Sequence, residues 1–509
     1  MTVSDSTIER SFTGARKPLL VIFFALLVGA ITIGAVAAKE PFLAIAGPVA
    51  ILFLLALLKW PDAATLLVVF YIYTNIGPVA IRFYGVPSYI AMGFPLLITI
   101  PLVWYLVVRR EKLIITPVWQ LLLMLLLIYT LGAVFSRDVI LASRKLIDFF
   151  FEGLLLYFLL INVIRTPLML KRVVWVLLIS GAFIGGLSLY QQMTHTFDNE
   201  YGGFAQTQTD STFGTGVENL QGEVTQQRLA GSIGEKNRFA QNMLMLVPLG
   251  LFQLWIYRST WARILALLFT SLILIGGALA FSRGAAVGFI LLILIMTFMR
   301  YIKFYQLALL VLVAYLVLWM FPQYGVRLAT VSTLFTDVAA TDSNAALTGA
   351  DGAIRGRATD VLAAMLIFAD HPLVGVGPGM VQYYTQEYSR GIGFRYITNN
   401  PEAHSLFPGI AAEAGLLGLI CFVLILYIPL RDLMQARKQW LESHPDWSYL
   451  ATAFFQVLIT YIVTGLFLHL SYMRFFYLML ALAVVASNFR NAAQPVEMEV
   501  PETALARGV

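Results

Sequence analysis

Long apolar runs broken by short polar or basic turns set the rhythm of this chain from residue 18 to residue 488. A run of 18 or more apolar residues, coiled as a helix, crosses a hydrocarbon layer ~30 Å thick while satisfying its own backbone. The pattern predicts about fourteen such helices, at 18–38, 41–58, 61–80, 87–108, 117–135, 145–163, 171–192, 239–257, 261–281, 285–300, 304–321, 405–428, 450–468 and 472–488. The expected fold class is all-α, a polytopic transmembrane helical protein of about 14 spans with a large, partly helical outer loop. At Lys39-Glu40-Pro41 and at Phe281-Ser282-Arg283-Gly284 the flanking spans could instead be one kinked element.

Two long polar segments interrupt the rhythm. Residues 193–238 are rich in Gln, Thr and Gly, and residues 322–403 form the largest loop. Within that loop 339–352 is small and polar, a composition that suits mobile chain. From Arg357 to Asp370, Val361, Leu362, Met365, Leu366 and Phe368 recur at helical spacing and predict an amphipathic helix. After His371-Pro372, the glycines at 375, 377 and 379 with Pro378 predict a tight turn. The chain thus divides into N-terminal spans (1–192), an outer loop (193–238), further spans with an arginine-bearing turn (239–321), the large loop (322–403), C-terminal spans (404–490) and a disordered tail (491–509).

Composition agrees with the pattern: 59% of the 509 residues are hydrophobic and 12% charged, and the mean hydropathy is +0.80. The net charge of +6 does not point to nucleic acid, because the basic residues sit at helix ends. Arg10, Arg16 and Lys17 precede the first span. Arg109 and Arg110, Lys171 and Arg172, Arg258 and Arg263, Arg300 and Lys303, Arg431 and Arg437, and Arg490 follow spans four, six, eight, ten, twelve and fourteen. All fall on one side if every span is real, and the positive-inside rule makes that side the cytoplasm, with both termini there. The N-terminal apolar stretch lacks a cleavage signal and is expected to be a retained span. The lone Cys421 excludes an intrachain disulfide and a cysteine-based metal site.

The candidate chemistry lies on the opposite, outer side. His404 stands where the large loop gives way to an apolar helix, and imidazole can take a proton near neutral pH. By itself it is equally a helix-end histidine bonded to its own loop. Arginines beside glycines recur there: Arg228 in Arg228-Leu-Ala-Gly231, Arg238 in Glu235-Lys236-Asn237-Arg238, Arg283 in Ser282-Arg283-Gly284, and Arg355 and Arg357 in the loop helix. A guanidinium binds phosphate oxygens in pairs, although any one of these could instead pair with Glu235, Asp351 or Asp360. No close carboxylate pair in the loops resembles a divalent-metal motif, so no metal and no cofactor are expected. Lys145, Asp148 and Glu152 share one face of the sixth span; Asp148 and Glu152 are either part of a polar acceptor pocket or, with Lys145, a local neutralising set. His469 and Arg474 flank the last outer turn with the same ambiguity.

Four pieces in order resemble the bacterial O-antigen ligase and O-antigen polymerase superfamily. They are Arg228-Leu-Ala-Gly231 through Ala240, Ser282-Arg283-Gly284, Arg357 through Asp370-His371-Pro372-Leu373-Val374-Gly375-Val376-Gly377-Pro378-Gly379, and His404 through Glu413-Ala-Gly415 to Gly418. The resemblance covers about residues 225–430. It implies a metal-independent inverting glycosyltransferase at the periplasmic face of the inner membrane, moving a glycan from undecaprenyl diphosphate to a lipid or glycan acceptor. His404 would be the base, and Arg228 with Arg357 (or its neighbour Arg355) the arginines meeting the diphosphate. Arg283, Lys236, Asn237, Arg238, Asp148 and Glu152 would line the substrate site. The chain departs from the family in having about fourteen rather than about twelve spans, and in longer stretches at 193–227 and 328–352. A polymerase joining lipid-linked repeat units is equally compatible. A flippase of lipid-linked glycan would suit the span number, but it should show internal repeats and a charged central cavity, and neither is present in the sequence.

Overall fold

From residue 61 onwards the apolar runs are helical, although the run expected at 61–80 is broken into two helices bent by 59°. In the computed structural model, which describes residues 53, 55–210, 226–320, 349–392, 405–466, 468 and 473–492, the helices in chain order are α1 (Pro61–Tyr73), α2 (Ile76–Tyr84), α3 (Ser88–Val108), α4 (Pro117–Val134), α5 (Val139–Val163), α6 (Pro167–Thr194), α7 (Lys236–Ile256), α8 (Thr260–Ala278), α9 (Arg283–Phe298), α10 (Phe304–Met320), α11 (Gly349–Asp370), α12 (Val381–Ile392), α13 (Leu406–Ser443), α14 (Pro445–Gly465) and α15 (Met473–Ala492). Among the described residues eight are long and apolar enough to cross a membrane: α3 to α8, α13 and α14. The bent pair α1 and α2 would make a ninth, and α9 and α15 are shorter apolar helices. The expected span at 18–38 and most of that at 41–58 lie outside the described residues.

Helix starts follow sequence signals. Thr116 and Thr166 each precede a proline at the first helical position, and each hydroxyl accepts a bond from the backbone three residues on, at Trp119 and Met169 (3.2 Å both). The turn Phe281-Ser282 does separate two helices: Phe281 takes a left-handed conformation (φ 51°) and Ser282 caps α9.

The chain forms two compact units, residues Met1–Leu67 with Leu97–Glu111, and Val68–Leu96 with Lys112–Val509. In the first, Arg109 pairs with Glu111 (3.8 Å) at the end of α3. In the second, α7 is the hub, packed against α8, α14 and α6. Helices α6 and α8 cross at glycine: a Cβ on Gly276 would stand 2.6 Å from the Cα of Gly185, the close approach that holds membrane helices together where no hydrophobic force can. Along α14, Ser448, Thr452, Gln456, Thr460 and Thr464 recur every fourth residue and are all buried. Thr452 meets Tyr301 (3.0 Å) at one end of this stripe and Thr464 meets Gln241 (2.8 Å) at the other.

One end of the bundle gathers the basic turns. Lys171 pairs with Asp446 (3.6 Å), and Arg437 donates to Tyr301 (3.2 Å). The charge pattern placed Lys171, Arg437 and the turn after α9 on a common side, and the bundle puts them at a common end.

Three expectations change. The fold is mostly helical but not all-α: strands β1 (Gln206–Asp210) and β2 (Gln226–Gly231) pair antiparallel, with Gln208 opposite Arg228. Helix α11 begins at Gly349, taking in residues assigned to mobile chain. Thr359, Asp360, Ala363, Ala364 and Ile367 are buried, while Leu362, Met365 and Leu366 are exposed. The small side chains on the buried face allow α11 to sit close against Val376, Met380, Val381 and Ala412. Finally, α13 is far longer than 405–428 and is broken within, at Gly415 (φ 65°, ψ −165°).

Candidate functional site

The break in α13 is where two of the sequence motifs meet. At φ 65°, ψ −165°, Gly415 occupies a region that only glycine enters freely. Interrupting a helix inside a membrane exposes backbone groups that need partners. Residues 372–377 supply them, running alongside the break. Val376 N–H donates to the carbonyl of Ala412 (2.9 Å) and Gly377 N–H to that of Glu413 (3.0 Å). In return Leu416 N–H donates to Pro372 (2.7 Å) and Leu417 N–H to Leu373 (3.4 Å). The Glu413 carboxylate completes the seam by accepting from Gly379 N–H (2.9 Å).

Glycine is needed on both sides of this seam. A Cβ on Gly375 would lie 2.4 Å from the Glu413 backbone, and one on Gly377 2.7 Å from the Gly132 carbonyl of α4. The stem of Lys145, on α5, packs over Gly379. Beside the seam α12 is fixed by polar contacts. Tyr388 donates to Asp370, Arg137 pairs with Glu387 (3.0 Å), and the Arg137 guanidinium lies 4.0 Å from the Tyr384 ring centroid. The bond to Asp370 pushes the Tyr388 phenol up to about 12, so it remains a donor at any physiological pH.

A second cluster forms where β2 ends and α7 begins. Arg228 is buried, and its guanidinium donates to the carbonyls of Ala280 (2.8 Å) and Phe281 (3.0 Å) and approaches Asn237 Oδ1 (3.4 Å). Leu229 N–H adds a bond to the Leu279 carbonyl (3.2 Å). The first motif thereby caps the end of α8, two residues before Arg283 opens α9. Glu235 caps α7 by accepting from the backbones of Asn237 (3.0 Å) and Arg238 (2.7 Å). The buried Arg238 then reaches Gln241 (3.2 Å), which bonds Thr464 of α14. Arg228, Lys236, Asn237, Arg238 and Arg283 are thus brought together at two adjoining helix starts, where backbone N–H groups and dipoles favour an anion.

The third cluster contains the acids expected on the sixth span. A π-helical turn, residues Phe149–Leu155 of α5, carries Glu152. Glu152 pairs with Arg474 at the start of α15 (2.6 Å), whose other nitrogen donates to Asn75 Oδ1 (2.7 Å). Asn75 sits in the left-handed break between α1 and α2, and its amide donates to the Ser232 carbonyl (2.7 Å). Asp148 is exposed, in the field of Glu152, Lys145 and Arg474. Asn75 was not singled out from sequence; an asparagine in mid-span, followed by Ile-Gly-Pro, was the available signal.

The clusters share one end of the bundle. Ser232 links the third to the second, directly following the Gly231 that ends β2. Leu406, opening α13, rests against Gly465 of α14, next to the Thr464 that bonds Gln241. His404 and His469 lie outside the described residues, as do the side chains of Arg355 and Arg357, whose backbones belong to α11. The remaining histidines have local roles: His195 ends α6 with φ 53°, His371 packs edge-on against Tyr384, and His444 stacks on Trp447. Among the described residues no three His, Cys, Asp or Glu side chains group as a metal site.

Residues 268–423 match a family model described as O-Antigen ligase (Wzy_C), which supports membership of the O-antigen ligase superfamily. No curated protein matches the chain. Three of the four motif pieces fall inside the matched stretch. The fourth, residues 228–240, lies before it and is tied to it by the bonds from Arg228 to Ala280 and Phe281.

Proposed function

Starting from a chain whose residues 268–423 carry an O-antigen ligase domain, we propose that it is a metal-independent inverting glycosyltransferase. It transfers a glycan from undecaprenyl diphosphate to an acceptor hydroxyl at the periplasmic face of the bacterial inner membrane. The observation that carries this reading is the gathering of Arg228, Arg283 and the start of α7 at the bundle end where α13 also begins, immediately after His404.

In this scheme His404 takes the proton from the acceptor hydroxyl as its oxygen attacks the anomeric carbon. The bond from that carbon to the diphosphate oxygen breaks, and the electron pair leaves with the diphosphate. Guanidinium groups meet the developing charge in pairs, which suits Arg228 and Arg357, with Arg355, Arg283 and Lys236 adding to the field. Arg228 has a double task, because it also closes the turn that carries Arg283. No carboxylate nucleophile is needed, and Glu152, held by Arg474, has a structural partner. With Asp148 it would border the acceptor.

Reconstitution with a lipid-linked oligosaccharide, with and without lipid A core, tests the reading. A single transferred glycan that requires the core acceptor is expected. A ladder of products without core would make the protein a polymerase of the same superfamily. Movement of the lipid-linked glycan across vesicles without any new glycosidic bond would reject transfer altogether.

A further inference from the structure

Helix α11 has two apolar faces, and packing accounts for only one. Ala363, Ala364 and Ile367 are buried against Val376, Met380, Val381 and Ala412. On the other face Leu362 (38% exposed), Met365 (52%) and Leu366 (45%) follow at helical spacing and remain exposed among the described residues. From Val361 to Ala369 the sequence holds no charged or polar side chain. These nine residues rise about 14 Å as a helix, too short to cross a ~30 Å hydrocarbon layer but suited to lying along its edge.

The seam with α13 sets the depth of this face. Through the bond from Leu417 N–H, Leu373 is fixed beside the first turn after the break, and its side chain is 67% exposed. From there Leu416, Leu417, Ile420, Val423, Leu424 and Tyr427 run down α13 as one exposed apolar stripe. On a helix that crosses the membrane, such a stripe faces acyl chains. Before Leu373 in the chain, beyond the exposed Asp370 and His371, come Leu366, Met365 and Leu362 of α11. At the polar end of α11, Tyr388 of α12 donates to the Asp370 carboxylate.

We propose that α11 is an interfacial helix whose Leu362, Met365 and Leu366 face is seated in the lipid leaflet at the α13 N-terminal side. The seam at Gly415 moors it there. The partner is the acyl-chain boundary of the bilayer, chosen over a protein because the seam moors this end of the helix beside the exposed apolar stripe of α13 and residues 361–369 carry no polar side chain.

Spin labels read this directly on the full chain in nanodiscs. With Cys421 replaced by alanine, single cysteines replace Leu362, Met365 and Leu366. Ile420→Cys serves as the lipid reference, and Gly391→Cys, whose site is open, as the aqueous one. Relaxation by oxygen and by a nickel chelate is then compared. Labels on α11 are expected to favour oxygen over nickel, as the Ile420 label does but to a smaller degree. Nickel access equal to that of the Gly391 label would put the face in water. Protection from both reagents would mean that protein covers it, either a second copy or another segment of this chain. Either result overturns the proposal.

Discussion

Replacing Gly415 with alanine tests whether the seam between residues 372–377 and α13 organises the outer end. At φ 65°, ψ −165° any side chain is strained, by about 1–3 kcal/mol. The added Cβ would also stand 2.3 Å from the Leu373 carbonyl carbon and oxygen and 2.5 Å from Val374 N. These are backbone atoms, so relief requires the strand to part from the helix, giving up four backbone hydrogen bonds of 2.7–3.4 Å. At about 0.5–1.5 kcal/mol each, those bonds contribute about 2–6 kcal/mol. A combined loss of at least ~3 kcal/mol should raise amide exchange in a peptide covering residues 371–380 by roughly a hundredfold. Exchange by mass spectrometry in detergent or nanodiscs measures it, and glycan transfer should fall in parallel. Gly391→Ala, at a site with nothing within 4 Å, should stay within about 0.5 kcal/mol of wild type. If Gly415→Ala exchanges and transfers like wild type, the seam is not the organising element.

The other expectations concern charge. His404→Ala should abolish glycan transfer with unchanged thermal unfolding, and the wild-type rate should rise with pH through a histidine titration; activity within about threefold of wild type would remove the base from the scheme. Arg228→Lys should lose stability as well as transfer, because one ammonium cannot hold both the Ala280 and Phe281 carbonyls, whereas Arg283→Lys should weaken donor use alone; equal unfolding temperatures for both variants would count against the double task of Arg228. Arg474→Gln should destabilise by about 2–3 kcal/mol through the bonds to Glu152 and Asn75, and adding Glu152→Gln should recover part of the loss; strict additivity would show that the pair is uncoupled. Transfer should proceed at full rate in excess chelator, and an enzyme silenced by chelator and restored by one divalent ion would reject the metal-free scheme.

The helices of this protein are legible because each satisfies its own backbone, so a local apolar run is enough to specify one. What the runs could not convey is which residues meet across the fold. Gly375 and Gly377 read only as turn formers and Gly415 only as part of a motif, yet their use is mutual: each lets backbone approach backbone from a part of the chain far away in sequence. The pairing of β1 with β2 was hidden for a similar reason, since Gln, Thr and Arg give no apolar alternation to mark a strand. On α11 the helical periodicity was legible, but not that the small residues Ala363 and Ala364 would be the ones buried against Met380 and Ala412. Of the candidate site, the Arg228 and α7 cluster was visible as a motif. The Glu152, Arg474 and Asn75 set was not, because three distant positions join only after folding.

The seam also closes a ring in the chain. Residues 372–377 and 412–417 are zipped together, so everything between Gly379 and Ala411, including α12 and His404, leaves and returns at one point. The entropy of closing such a ring grows only logarithmically, about 0.6 kcal/mol for each doubling of its length. The stretch between α12 and α13 can therefore lengthen, shorten or change sequence at little cost to the two ends, whereas α12 itself is held by its core packing and by the Arg137–Glu387 pair. Within this architecture the chain best placed to diversify is the stretch leading to His404, while the seam at its base stays fixed.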